Sequence, residues 1–192
     1  MDIKAQVKPD DNEEKAPTVE AEAKTRNLIG WVSVVFAISA VMFSIYHFIV
    51  AGFSPIMALK HRSIHVSGVL FLIFLLYPMF KKNVKKGIPF YDIILALLSL
   101  ACGIYTVSMI DVIALRGGSY TTLDVIVGFI LLLLILEATR RTIGNILVFL
   151  SLIFVSYALF GQHLPGIFMH AGFSVERIVT HLYITTEGIL GI

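Results

Sequence analysis

Three histidines are the residues whose type and spacing could bind a ligand or a metal ion. His61 and His65 stand four residues apart, which places both imidazoles on one face if the segment is helical. Such a pair holds a metal only with a third ligand in reach, and His47 is the nearest candidate. No cysteine or well-placed carboxylate joins them. Polar residues at the end of an apolar helix explain the pattern better, so the sequence predicts no metal site and no cofactor.

The acidic residues are the second group that could do chemistry, because carboxylates inside a membrane often carry protons or cations. Each lies near the end of an apolar stretch, not at its middle. Asp124 follows Thr121 with the spacing of a helix capping box. Glu137 precedes Arg140 and Arg141 by three and four residues, which favours ion pairs on one helix face. We expect these residues to be structural, with a small energy because exposed ion pairs contribute little.

Nothing else in the sequence indicates catalysis. The chain lacks an inward-facing nucleophile, an acid pair or a set of metal ligands, so we predict that it is not an enzyme and assign no catalytic or substrate-binding residue. The lone cysteine, Cys102, is interpreted as a small apolar residue. The formal net charge of +2 is too small to suggest a nucleic-acid partner.

Five long apolar stretches must position these side chains. They occupy residues 28–51, 63–80, 91–110, 123–138 and 143–160. About 20 mainly apolar residues suffice for a helix to cross roughly 30 Å of hydrocarbon. Charged residues make up 15% of the chain, whereas soluble domains average about 25%. The sequence therefore predicts an all-α membrane protein with about five transmembrane helices. The lipid bilayer is the first partner that we expect.

The two flanks differ from these spans. Residues 1–27 hold seven acidic and five basic residues, so we expect a disordered polar tail rather than a signal peptide. Residues 161–192 begin as a loop with Pro165. Ser174 then resembles a helix N-cap, with Glu176 in the first turn. The apolar spacing that follows predicts an amphipathic helix lying along the outer membrane surface.

Lys and Arg residues set the expected orientation, since they are enriched in cytoplasmic loops. With the N-terminus in the cytoplasm, the inside segments hold eight of them: Lys24, Arg26, Lys81, Lys82, Lys85, Lys86, Arg140 and Arg141. The outside segments hold four: Lys60, Arg62, Arg116 and Arg177. We therefore expect a cytoplasmic N-terminus and an extracytoplasmic segment from residue 161 onward.

Small residues predict how the spans pack, because they let helix backbones approach closely in lipid. The first span carries a stripe at helical spacing, formed by Ser33, Ala37, Ala40, Ser44 and His47. We expect this stripe to face other helices, with His47 as a packed, hydrogen-bonded residue near the outer surface. A weaker stripe in the third span consists of Ser99 and Gly103.

Several stretches together resemble one family of membrane proteins. They are A-G-F-S-P-I at 51–56, R-S-I-H at 62–65, L-L-Y-P at 75–78, I-P-F-Y-D at 88–92, T-T-L-D at 121–124, L-E-A-T-R-R-T-I-G at 136–144 and H-L-Y-I-T-T-E-G-I at 181–189. The ordered set is similar to the N-terminal part of fused permeases of tripartite ATP-independent periplasmic (TRAP) transporters. In these permeases a small four-helix unit is joined to a large unit of about a dozen helices.

The resemblance implies a secondary transporter of the bacterial inner membrane, commonly driven by sodium. A periplasmic binding protein would deliver organic anions, and the large unit would carry the substrate and sodium sites. We expect this chain to be the scaffold portion, truncated before the large unit and unable to transport alone. The alternative is an independent small polytopic membrane protein that assembles with or regulates a partner.

Overall fold

The apolar stretches form α-helices in the computed structural model, which describes residues 25–53, 56–80, 87–117, 119–185 and 187–191. The helices in these residues are α1 (Trp31–Gly52), α2 (Ala58–Leu76), α3 (Phe90–Leu115), α4 (Thr122–Thr142), α5 (Asn145–Phe160) and α6 (Val175–Ile184). Two short 3-10 turns, Gly161–His163 and Gly166–Phe168, join α5 to α6. Five helices are long and apolar enough to cross a membrane, the fifth when it is extended to His163. The all-α, multi-pass fold predicted from the sequence is thus confirmed.

Helix α2 departs most from its predicted boundaries, since it begins at Ala58 rather than at residue 63. Its first turns contain Lys60 and Arg62, which lower the hydropathy but do not interrupt backbone hydrogen bonding. The helix ends at Leu76, because Pro78 follows and Tyr77 is forced into an extended conformation. A helix can therefore extend past the apolar stretch that reveals it.

Successive helices run up and down, so the bundle has two ends. Arg26, just before α1, bonds to the last turn of α2 and to Asp92 in the first turn of α3, and Asp92 in turn bonds to Arg141 in the last turn of α4. We call this the Asp92 end, after the aspartate in the first turn of α3. The opposite end brings together the end of α1 and the starts of α2 and α4, and we call it the Asp124 end.

Helices α2 and α3 form the closest pair in the bundle. A Cβ at Gly103 of α3 would lie 2.3 Å from Oγ of Ser67 in α2, so the two backbones approach as closely as glycine allows. Ser99 and Ala96, one and two turns earlier, are fully buried in the same seam. The stripe of Ser99 and Gly103 predicted in the third span is therefore a contact face.

The stripe predicted on α1 does not form a contact face as a whole. Ala37 and Ser44 are exposed, whereas Ser33, Ala40 and His47 are half-buried. The expectation that all five face other helices is wrong within this chain. Small-residue spacing marks a face that permits close approach, but it does not determine which face has a neighbour.

Helices α1 and α5 flank the bundle, and neither contains a buried residue. Helix α1 rests on α2 through Phe43, whose ring would come within 2.4 Å of a Cβ at Gly68. An aromatic ring fitted over a glycine buries more apolar area than a row of alanines would. Helix α5 contacts α4 and α6. Most of the apolar surface of α1 and α5 faces outward.

Helix α6 begins at the predicted N-cap, where the Oγ of Ser174 accepts a hydrogen bond from the backbone N–H of Arg177 at 3.2 Å. Its buried side chains, which include Val179 and Tyr183, pack against α4. The Tyr183 ring lies over Gly128, where a Cβ would come within 2.7 Å of it. The predicted amphipathic helix is therefore present, but its apolar face packs on α4 at Tyr183 rather than on lipid.

Candidate functional site

The Asp92 end contains a buried cluster of charged side chains. Oδ2 of Asp92 lies 2.6 Å from Nη2 of Arg26, and Oδ1 lies 2.8 Å from Nη1 of Arg141. The exposed fractions of these side chains are 0% for Asp92 and Arg141 and 1% for Arg26. Three elements distant in sequence are therefore joined through one carboxylate.

The two arginines also cap the C-terminus of α2. Arg26 donates from Nη1 to the Leu75 carbonyl at 3.1 Å and from its backbone N–H to the Leu76 carbonyl at 2.8 Å. Arg141 donates from Nη1 to the Tyr77 carbonyl at 3.0 Å. The last carbonyls of a helix lack intrahelical donors and carry partial negative charge, so cations are favoured there.

Glu137 extends the cluster toward its exposed edge. Its Oε1 accepts from Nε of Arg141 at 2.7 Å and from Nη2 of Arg140 at 2.8 Å, while Oε2 accepts from Nε of Arg140 at 2.7 Å. Both predicted ion pairs are present. The expectation that they are exposed is wrong for Arg141, whose side chain is fully buried beneath the Phe74 ring, with Cζ 5.0 Å from the ring centroid.

We call Arg26, Asp92, Glu137, Arg140 and Arg141 the arginine cluster. Its three cations and two anions leave one positive charge in excess. Among the described residues, Nε of Arg26 and Nη2 of Arg141 are buried without a hydrogen-bond partner. Both Asp92 oxygens are engaged by guanidinium groups. This arrangement suits a fixed structural junction, because a carboxylate used for proton or cation transfer needs an oxygen free to bind the moving ion.

The sequence predicted the pairing of Glu137 with Arg140 and Arg141, but not the pairing of Asp92 with Arg26. Arg26 falls within the segment predicted as a disordered tail, of which residues 1–24 lie outside the described residues. For Arg26 the expectation is wrong, since the residue is only 3% exposed. An indirect signal was available: Asp92 opens an apolar helix, and a carboxylate there requires a cationic partner.

Asp124 organises the opposite end. Thr121 and Asp124 form the predicted capping box, with the backbone N–H of Thr121 donating to Oδ2 at 2.8 Å and the backbone N–H of Asp124 donating to Oγ1 at 3.3 Å. Oδ1 accepts from the Tyr105 hydroxyl at 2.7 Å, and Oδ2 also lies 3.1 Å from Nη1 of Arg116. Asp124 is fully buried. Because Tyr105 belongs to α3, its bond to this capping carboxylate also ties α3 to α4.

Tyr183 makes a second polar contact that the sequence did not reveal. The Thr106 hydroxyl donates to the Cys102 carbonyl at 2.7 Å, so the Tyr183 hydroxyl must be the donor in its 2.6 Å bond to Thr106 Oγ1. Burial raises the pKa of the Tyr183 phenol well above its usual value. The phenol therefore keeps its proton, and the bond from α6 to α3 persists through the physiological pH range.

The three histidines singled out in the sequence do meet, at the Asp124 end. Nε2 of His47 lies 2.9 Å from Nδ1 of His65, and the Tyr46 hydroxyl lies 3.2 Å from Nδ1 of His61. His47 also bonds through Nδ1 to the Phe43 carbonyl at 2.8 Å. Within the described part of the chain, no three His, Cys, Asp or Glu side chains are placed to hold a metal ion.

The fold and these junctions define the protein's class. It is a multi-pass, all-α membrane protein whose buried charges are concentrated at the two ends of a helical bundle. No protein-family model, no curated protein and no solved structure matches the chain.

Proposed function

We propose that the chain is the scaffold portion of a TRAP-type permease, a secondary transporter for organic anions. The ordered stretches between residues 51 and 189 that resemble such permeases support this proposal. Several of them supply the structural junctions: 88–92 contributes Asp92, 121–124 contributes the capping box, and 136–144 contributes Glu137 with its two arginines.

The engagement of the buried carboxylates is the observation that carries the scaffold role. Secondary transporters bind substrate and ions near the membrane midplane, typically where helices are broken. In the described residues, Asp92 and Asp124 lie in the first turns of α3 and α4, and arginines and hydroxyls hold their oxygens. Such carboxylates stabilise the helix ends and leave the substrate and sodium sites to the large unit.

The proposed location is the bacterial inner membrane, with the N-terminus and the Asp92 end in the cytoplasm. The eight-to-four distribution of Lys and Arg supports this orientation. The histidines and Asp124 then lie toward the periplasm, the side on which a substrate-binding protein would dock.

The proposed partners are the lipid bilayer, the large permease unit and that binding protein. Helices α1 and α5 contain no buried residue, so each offers a long apolar face to lipid or to another membrane unit. Helix α1 contacts α2, whereas α5 contacts α4 and α6, so the two faces border different helices. A large unit can bind one of these two faces.

Reconstitution tests the proposal. The purified chain in liposomes, with an inward sodium gradient and a TRAP binding protein, should take up no radiolabelled dicarboxylate or related organic acid. Coexpression with a large TRAP permease unit should give a complex that copurifies and shows uptake. Uptake by the chain alone would overturn the scaffold role, and failure to bind any large unit would overturn the assignment to this transporter class.

Glu137 supplies a sharper control within the same assay. We expect a Glu137→Gln variant of the assembled permease to retain uptake in proportion to the amount of folded complex. Normal assembly with abolished uptake would show that Glu137 acts as a functional acid, which contradicts the structural role proposed here.

A further inference from the structure

One imidazole–imidazole and one phenol–imidazole hydrogen bond attach α1 to the bundle at the Asp124 end. Tyr46 and His47 of α1 bond to His61 and His65 of α2, at 3.2 Å and 2.9 Å. We call these four residues the histidine latch. Because α1 has no buried residue, its attachment depends on such contacts more than that of a core helix does.

The hydrogen positions in the latch follow from its acceptors. The Phe43 carbonyl can only accept, so Nδ1 of His47 carries a hydrogen. In neutral His47 the other nitrogen, Nε2, is then an acceptor, and His65 donates to it from Nδ1. This leaves Nε2 of His65 as the free basic nitrogen of the pair.

Protons therefore act on the pair in two steps. The first proton can enter at Nε2 of His65, since His65 is an exposed residue, and this leaves the bond between the rings intact. A second proton must enter at Nε2 of His47, which removes the acceptor. Two N–H groups then face each other, and the bond is lost.

The surroundings of the rings offer little to offset the added charge. The His47 ring centroid lies 4.9 Å from that of His61 and 5.0 Å from that of His65. On α2, Lys60 forms an ion pair with Asp111 of α3. The other cation there, Arg62, donates to the Leu190 carbonyl. On α1 the titratable neighbour is the Tyr46 phenol. Across the described residues, the hydrogen bonds of the three rings go to imidazole, phenol and carbonyl groups rather than to carboxylates.

We infer that the histidine latch is an acid-sensitive joint between α1 and α2. At neutral pH it holds α1 against the bundle. When His47 and His65 are both charged, the Asp124 end of α1 moves away from α2, while Arg26 fixes the chain just before α1 at the other end. The movement widens the groove between α1 and α3 that Met42 and Ser108 line. The inference concerns this chain alone and stands whether or not it belongs to a permease.

A spin-label distance across this groove tests the inference. Labels are attached at Met42→Cys and Ser108→Cys in a Cys102→Ala background, with the full chain in nanodiscs. The mean distance between labels should lengthen as the pH falls from about 8 to about 5, the range in which imidazole gains its proton. An unchanged distance would overturn the inference.

Two variants and one control assign the effect. His47→Gln and His65→Gln each retain a hydrogen-bonding side chain but prevent the double charge, so each should abolish the lengthening. His163→Gln removes a histidine outside the latch and should leave it unchanged. Lengthening that persists in His47→Gln, or disappears in His163→Gln, would assign the pH response to other groups and overturn the latch. Circular dichroism of each variant checks that the helices remain folded.

Discussion

Arg26 and Asp92 form an ion pair of 2.6 Å although they lie 66 positions apart in the sequence. Arg141 reaches the same carboxylate from 49 residues further along the chain. The stability of this junction depends on both partners being present, because a single buried charge loses its hydration without compensation.

The Asp92→Asn variant should be strongly destabilised. It leaves Arg26 and Arg141 buried without their shared anion, and breaking a buried pair typically costs about 3–5 kcal/mol. Chemical unfolding in detergent measures the loss. The matched control is Asp111→Asn, since Asp111 pairs with Lys60 but is 57% exposed. Exposed pairs are worth about 1 kcal/mol or less, so equal losses in the two variants would contradict the role given to Asp92.

The Gly103→Ala variant should weaken the packing of α2 against α3. The added Cβ would lie 2.3 Å from Oγ of Ser67, and overpacking of this kind costs about 1–3 kcal/mol. The control is Gly52→Ala, because nothing lies within 4 Å of a Cβ at that glycine of α1. Thermal unfolding of both variants decides the matter, and a loss confined to Gly52→Ala would refute the packing described here.

Tyr183 should make stability depend on pH only under alkaline conditions. Its pKa is raised on folding, so its contribution is complete below the pKa of the unfolded phenol, about 10. That contribution is lost as the pH rises further. Tyr183→Phe should cost about 1 kcal/mol at neutral pH through the lost bond to Thr106. It should also reduce the alkaline loss measured by unfolding above about pH 10, and an identical alkaline loss in both proteins would contradict this account.

Reporter fusions test the orientation. A fusion at Val84, in the basic segment of residues 81–86 that lies outside the described residues, should report the cytoplasm. A fusion at Gln162, in the turn after α5, should report the outside. Activity of both fusions on the same side would mean that the number of membrane crossings between the two positions is wrong.

The sequence predicted the helices well because hydropathy and helix length depend on local composition. It also predicted two junctions made by residues close in sequence, the Thr121–Asp124 capping box and the Glu137–Arg141 pair. Contacts within one turn are readable because helical geometry fixes which side chains meet.

The contacts between distant residues were not predictable in this way. In the sequence, Arg26 does not differ from the other basic residues of the polar N-terminal segment. Only the folded bundle places Asp92 beside it. The seam at Gly103 and the stripe containing Ala37 have similar spacing, yet the first is buried against α2, whereas Ala37 and Ser44 of the second are exposed. Which helix lies beside which is decided by the whole bundle, and periodicity within one helix does not contain that information.

The arginine cluster also imposes an order on biogenesis. At translation rates of about 5–20 residues per second, Asp92 is synthesised about 3 to 13 s after Arg26, because it lies 66 positions further along the chain. Arg141 follows after a further 49 residues, a delay of about 2 to 10 s. Until Asp92 is made, Arg26 has no anionic partner in this cluster, and until Arg141 is made, Asp92 lacks its second cation. Completion of the fourth helix is therefore the event that closes the bundle, and a chain that stops earlier leaves Asp92 with Arg26 but without its second cation, Arg141.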